Sequence, residues 1–257
     1  MIGWDEFVIF GAIAIALWTL GSGVALRHAR TGSALFLAGT VLFATFIALF
    51  WLSAGRAPMR TLGETRLWYS LFIAATGWVL FIRWRYRFLL PFAAVLASVF
   101  TVINILRPEI HSQTLMPALQ SAWFVPHVAI YMLSYAVMAV ALALAVAARF
   151  HREQLLLHAD RLVRIGSALL IIGMLMGAVW ARQAWGNYWA WDAKESWAAV
   201  TWLLSLSYIH FRLHYPTWQR TAVTLLAVTF LALQITWYGI NYMPSAKKSM
   251  HTYTMNR

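Results

Sequence analysis

Hydrophobic residues fall along this chain in long, nearly uninterrupted runs that are separated by short polar segments. A helix needs roughly 20 apolar residues to cross a bilayer, and eight runs are near that length. They span residues 7–26, 33–53, 67–82, 88–106, 124–148, 162–181, 196–213 and 221–240. The pattern predicts an all-α integral membrane protein with about eight transmembrane helices, in which residues 1–257 form a single polytopic domain.

The basic residues give these spans a direction. The connections at 27–30, 83–87, 149–164 and 212–220 hold 11 of the 20 Lys and Arg residues, and the opposite segments hold the other 9. Because cytoplasmic loops carry the excess of Lys and Arg, we expect both termini and the connection 182–195 on the outer side. The first run follows the acidic pair Asp5-Glu6 and is interpreted as a span and not as a cleaved signal.

Composition agrees with a membrane protein and narrows its chemistry. The chain is 62% hydrophobic and 11% charged, and it has no cysteine, so histidine or carboxylate must hold any metal. The formal charge of +12 is scattered between apolar runs. That distribution indicates contact with anionic membrane lipid and gives no basic face for nucleic acid.

The segment 180–197 is predicted to be an external loop that binds an aromatic ligand. It contains five tryptophans and Tyr188 within 18 residues. A porphyrin is a flat apolar disc with two carboxylates on one edge, so stacked indoles with Arg182 and Lys194 beside them suit it. The alternative is an interfacial aromatic belt. Asp192 and Glu195 have the spacing of a helix capping box and are not expected to be catalytic; no catalytic residue is predicted.

The same segment resembles a known signature. The motif reads Trp185-Gly186-x-x-Trp189-x-Trp191-Asp192-x-Lys194-Glu195, continuing to Trp197, and is similar to the WWD domain of haem-handling proteins, in the CcsA/ResC-type branch of cytochrome c biogenesis. Three further segments support this branch: Gly55-Arg56-x-Pro58 followed by Glu64, Pro126-His127-Val128, and His251-x-Tyr253. Leu62 and Gly63 depart from the Asn and Tyr that often precede this glutamate in the family, which puts an inherited role for Glu64 in doubt.

The resemblance implies a function. Family members are thought to move haem b across the membrane and present it for covalent attachment to apocytochrome c, as part of a system II holocytochrome c synthase. It also implies three protein partners: a CcsB/ResB-type subunit, the apocytochrome and a thiol-reducing protein. The expected location is a bacterial plasma membrane or a thylakoid. Haem contacts are expected from Trp185, Trp189, Trp191, Asp192 and Trp197.

Three histidines are candidate ligands for haem iron. His127 and His251 are expected on the same face as the tryptophan-rich loop, where they would bracket the porphyrin. His210 lies fifteen residues after Glu195, about 22 Å deeper at about 1.5 Å per residue. By the resemblance it is the intramembrane ligand, and its partner histidine belongs to the CcsB-type subunit. His111, in an outer connection, has no assigned role.

Three other classes of membrane protein share part of this pattern. A haem exporter or chaperone of the CcmC type would hold haem in the same way but deliver it to a separate ligase. A b-type cytochrome subunit needs histidine pairs within the bilayer, and this chain offers one such histidine. A transporter with an aromatic gate would leave the outer histidines unexplained.

Overall fold

A computed structural model gives the structure of residues 2–111, 121–150 and 153–244. Within those ranges the chain forms eight α-helices: α1 (Trp4–Ala25), α2 (Ala29–Ala54), α3 (Leu62–Trp84), α4 (Leu89–Leu106), α5 (Phe124–Ala148), α6 (Glu153–Trp185), α7 (Ala193–His214) and α8 (Gln219–Trp237). Short 3₁₀ turns follow α4 at Pro108–Ile110 and α8 at Gly239–Tyr242. The prediction of an all-α protein is confirmed.

Seven of these helices are long and apolar enough to cross a membrane. The eighth, α7, carries Lys194 and Glu195 in its first turn and Arg212 and His214 in its last, so its apolar stretch is shorter. The predicted spans match the helices, with α5 matching at both ends. The structure extends α6 nine residues before its predicted start, because polar turns continue a helix beyond the hydrocarbon. It ends α8 three residues early.

The first compact unit, residues 1–119, contains α1 to α4. Helix α1 packs against α2 and α4, and α3 packs against α4. Gly32 lets α2 approach α1 at backbone contact, since a Cβ there would lie 2.2 Å from the nitrogen of Ala25. The core of this unit is aromatic: Phe7 contacts Phe43 and Phe46 through ring edges. Such close approach is typical of helices packed in membranes.

The second compact unit, residues 120–257, contains α5 to α8. Helix α5 packs along α6, α7 packs on α8, and α6 also contacts α7. The hydroxyl of Ser134 on α5 donates to the carbonyl of Gly166 on α6 at 2.8 Å. Because α6 and α7 are consecutive, the loop 186–192 joins them at one end of this unit.

Candidate haem site

The tryptophan-rich loop is the turn of seven residues, 186–192, between α6 and α7, and the rest of the predicted segment 180–197 belongs to those two helices. Two residues in it have left-handed backbone conformation: Gly186, with φ of 85°, and Trp191, with φ of 55°. Glycine adopts this conformation freely, whereas a tryptophan with a Cβ is strained in it. Trp191 is also 71% exposed. The fold therefore holds a large apolar ring in solvent at a strained position, an arrangement typical of functional sites.

The capping box predicted for Asp192 and Glu195 is confirmed. Asp192 precedes α7, and its Oδ1 accepts a hydrogen bond from the nitrogen of Glu195 at 2.9 Å. Glu195 is buried, and its Oε2 accepts from the nitrogens of Asp192 and Ala190, at 3.2 and 2.8 Å. These two carboxylates satisfy the backbone donors at the start of α7 and anchor the end of the loop.

An aromatic wall leads from α5 to the loop. Trp180 of α6 contacts Phe124 of α5 at 5.0 Å and Trp185 at 4.8 Å between ring centroids. Further along, Trp189 and Trp191 meet edge to face at 5.6 Å. The aromatic residues predicted from the sequence therefore form two adjoining clusters on this end of the unit. Trp197 stands in the first turns of α7 and is half-buried.

His127 is held in one orientation against α6. Its Nδ1 lies 2.8 Å from the carbonyl oxygen of Gly173, and because a carbonyl only accepts, Nδ1 carries the proton. The lone pair of the neutral ring is then on Nε2. The ring also packs on Trp180 at 5.6 Å with planes 29° apart, and a Cβ at Gly177 would lie 2.6 Å from its Cε1. Metal-binding histidines are commonly oriented in this way.

Arg182 is the cation that the structure places directly on the loop. Its guanidinium donates to the carbonyl of Gly186 and lies 5.7 Å from the ring centroid of Tyr188. Both Arg182 and Tyr188 are exposed. A positive charge thus stands beside the exposed phenol of the loop, where it can pair with a carboxylate.

Within the described residues, no contact joins His210 to this site. His210 lies on an exposed part of α7, near the end opposite the loop. His251 lies outside the described residues, so its predicted ligand position stays a prediction.

One cluster in this unit was missed by sequence reasoning. Asp160 of α6 accepts from Arg212 at 3.0 Å and from the hydroxyl of Tyr208 at 2.7 Å. The pair is nearly buried, with the Arg212 and Asp160 side chains 8% and 11% exposed. It fixes α7 against α6 on both sides of His210. An aspartate and an arginine at the ends of two apolar runs were the available signal, since buried charges require partners.

His111 and Glu64, whose roles the sequence did not settle, both make structural contacts in the first unit. The ring of His111 stacks on Trp4 with centroids 3.6 Å apart and planes 4° apart. Glu64 caps α3 with Thr61, and both of its oxygens accept from Arg56, at 2.7 and 3.0 Å. The resemblance to Gly-Arg-x-Pro and Glu segments therefore corresponds to a real contact, despite the departures at Leu62 and Gly63.

Fold and site together define a polytopic all-α membrane protein with an aromatic, histidine-bearing surface at one end of its second unit. The family model of cytochrome c assembly proteins matches residues 6–246. The chain belongs to this family, and the prediction of a haem-handling subunit of cytochrome c biogenesis is confirmed at that level.

Two relatives and one solved structure are similar to this chain. The chain is 30% identical over 235 residues to the cytochrome c biogenesis protein CcsA of Prochlorococcus marinus (strain MIT 9215), covering 75% of each chain. It is 28% identical over 249 residues to the CcsA protein of Nymphaea alba, covering 80% of this chain and 81% of that one. The structure of the cytochrome c haem lyase CcmF matches with a TM-score of 0.71 at 19% identity, over 92% of this chain and 46% of that chain. This last likeness shows a shared fold, and the chain spans about half the length of that protein.

Proposed function

We propose that this protein binds haem b as its substrate on the surface formed by the tryptophan-rich loop and His127, and presents it to apocytochrome c for thioether formation. In that reaction each cysteine thiol adds across a vinyl group, so a new S–C bond forms and the thiol proton moves to the other vinyl carbon. The thiols belong to the apocytochrome, which agrees with a chain that has no cysteine. The geometry of His127 carries this proposal.

His127 is the ligand that the contacts support best. The hydrogen bond from Nδ1 to Gly173 selects the neutral tautomer with its lone pair on Nε2, which is the form that coordinates iron. Packing on Trp180 and over Gly177 limits ring rotation. A ligand held in this way loses little conformational entropy when it binds.

The loop supplies the surface for the macrocycle. Trp191 and Tyr188 are exposed, and the exposed guanidinium of Arg182 lies beside the ring of Tyr188. Indole faces favour a flat polarisable ring, and a guanidinium pairs with a propionate. Asp192 acts through its cap on α7 and positions the loop.

The remaining roles follow the family resemblance. His251 supplies the second axial imidazole at the outer site. His210, exposed on α7, accepts haem within the membrane together with a histidine of a CcsB/ResB-type subunit. A thiol-reducing protein keeps the apocytochrome cysteines reduced. The loop and both termini face the periplasm of a bacterial plasma membrane or the lumen of a thylakoid.

An absorption spectrum of the detergent-purified protein, alone and with the CcsB-type subunit, tests the proposal. We expect a Soret band with bis-imidazole features after dithionite, and we expect it to be weaker in His127→Ala. His28→Ala is the control and should leave the spectrum unchanged, because His28 is an exposed histidine of the first unit. Equal haem retention after His127 and His251 are both replaced by Ala, with the fold intact, would refute the proposed ligands.

A second assay separates a synthase from an exporter. Co-expression with an apocytochrome should yield covalently bound haem in the synthase case, in the absence of any other haem ligase. No covalent product in that strain, with product formed once a separate ligase is added, would assign the protein to the exporter class.

A further inference from the structure

An ion pair joins the loop between α2 and α3, residues 55–61, to the first turn of α3. Both oxygens of Glu64 accept from Arg56, and Oε2 also accepts from the backbone nitrogens of Arg60 and Thr61, at 2.6 and 3.2 Å. Glu64 is 1% exposed, so no solvent reaches it. Four donors therefore already bind this carboxylate, and the side chain of Arg60 is not among them.

Arg60 is a half-buried cation with one unsatisfied donor. Its Nε is buried and has no hydrogen-bond partner among the residues that the structure describes. Burial is the main cause that lowers the pKa of Arg60, and the neighbouring charge of Arg56 lowers it further. The charge of Glu64 raises the pKa and so opposes both effects. Arg56 and Arg60 thus lie near one carboxylate, and only the Arg56 guanidinium is hydrogen-bonded to it. Because the side chain of Arg60 stays partly exposed, an anion outside the chain can pair with its charge.

An exposed apolar surface lies at the end of α2, just before this loop. The last turn of α2 carries Trp51 and Leu52, which are 42% and 78% exposed. Trp51 meets Trp68 edge to face at 6.3 Å, and the indole nitrogen of Trp68 donates to the carbonyl of Pro58 in the loop at 2.9 Å. The Arg60 loop is therefore tied directly to aromatic residues at the end of a membrane-spanning helix, where interfacial tryptophans stand beside lipid headgroups.

We propose that Arg60, supported by Arg56, binds the phosphate of an anionic phospholipid whose acyl chains lie against Trp51 and Leu52. The guanidinium of Arg60 donates to phosphate oxygens, and the exposed apolar side chains of α2 contact the hydrocarbon. A free inorganic anion would use only the first of these two surfaces. The site belongs to the first unit and does not depend on the haem site proposed above.

Native mass spectrometry of the full-length, detergent-purified protein tests this site with two probes, phosphatidylglycerol and phosphatidylcholine. We expect phosphatidylglycerol to bind more tightly, and Arg60→Gln to weaken it about tenfold, the effect of losing one charge-assisted hydrogen bond. Arg60→Lys should retain part of the affinity. Arg107→Gln is the matched control, because Arg107 is an exposed arginine at a neighbouring helix end.

Three results would overturn the proposal. One is unchanged phosphatidylglycerol affinity in Arg60→Gln. Another is equal affinity for the two lipids, which would leave no role for the headgroup charge. The third is loss of bound haem from Arg60→Gln with lipid affinity intact, which would assign the guanidinium to a haem carboxylate. A thermal unfolding curve for each variant separates loss of the site from loss of the fold.

Discussion

The imidazole of His127 donates its Nδ1 proton to the carbonyl oxygen of Gly173, 2.8 Å away on the neighbouring helix. One turn further along that helix, Gly177 leaves room for the ring. These two contacts fix both the tautomer and the position of the proposed haem ligand, and they lead to the first prediction.

Gly177→Ala should displace His127 without removing it. The added methyl would lie 2.6 Å from Cε1, closer than nonbonded carbons approach, so the ring must move. We expect the haem content of the purified protein to fall several-fold, measured from the reduced spectrum of extracted haem. Gly23→Ala is the matched control, because a Cβ there meets no atom within 4 Å. Equal haem content in Gly177→Ala and the parent would contradict this role for His127.

Trp191→Gly should separate stability from ligand binding. Glycine relieves the left-handed strain at φ 55°, which offsets the greater freedom of the unfolded chain and the lost contact with Trp189, so the free energy of unfolding should change by less than about 1 kcal/mol. It also removes an exposed indole, so haem retention should fall. Trp191→Phe keeps both the strain and an aromatic face, and should retain more haem at parental stability. A variant with glycine that keeps full haem content would remove Trp191 from the site.

Asp160→Ala should destabilise the second unit strongly. It leaves the guanidinium of Arg212 inside the protein without its carboxylate, which costs about 3–5 kcal/mol for a buried pair. Thermal unfolding and the haem spectrum with the CcsB-type subunit measure the effect on the fold and on His210. Glu109→Ala breaks the exposed pair with Arg107, whose side chains are 68% and 51% exposed, and should leave the unfolding midpoint unchanged. Similar unfolding midpoints for Asp160→Ala and Glu109→Ala would contradict a stabilising role for the buried pair of Asp160 and Arg212.

Asp192→Ala should loosen the tryptophan-rich loop. The substitution removes the acceptor for the nitrogen of Glu195, and loss of a helix N-cap costs about 1 kcal/mol. Protease cleavage in the loop should become faster, and haem should dissociate more quickly. Asp192→Asn retains a capping oxygen and should behave like the parent in both assays. If Asp192→Asn and Asp192→Ala change cleavage and haem dissociation equally, then the negative charge of Asp192 is what matters, and its hydrogen bond as a cap is not.

His111 should make stability depend on pH. Burial lowers its pKa, opposed by its hydrogen bond to the carbonyl of Asn104 and by the charge of Glu109. Below the unfolded pKa of about 6.5, the unfolded chain therefore binds a proton that the folded chain resists. This contribution to stability is present above that pH and is lost as the pH falls below it.

The unfolding midpoint between pH 7.5 and 5.5 measures this effect. We expect a smaller fall on acidification in His111→Phe, which keeps a ring stacked on Trp4 but cannot titrate. Parallel pH profiles for the parent and the variant would assign the acid sensitivity to other groups.

Much of this protein can be predicted from its sequence. The number and order of the helices follow from apolar runs, because a bilayer-spanning helix must be apolar along most of its length. The capping box at Asp192 and Glu195 and the aromatic character of the loop are local patterns, so the chain reveals them without knowledge of packing. The family follows from the spacing of Trp185, Trp189 and Trp191.

Only the tertiary structure decided which residues meet. The contacts of His127 with Gly173 and Gly177, and of Asp160 with Arg212, join helices at positions 46 to 52 residues apart in sequence. Hydropathy reports burial in the membrane or protein and carries no information on which helix faces which. The left-handed conformation of Trp191 and the unsatisfied Nε of Arg60 are also details of backbone and side-chain geometry that hydropathy does not report. The sequence by itself therefore determined that this is a membrane protein, where its helices lie and which motif it carries. Packing between helices determined the tautomer of His127 and the contact of its ring with Trp180.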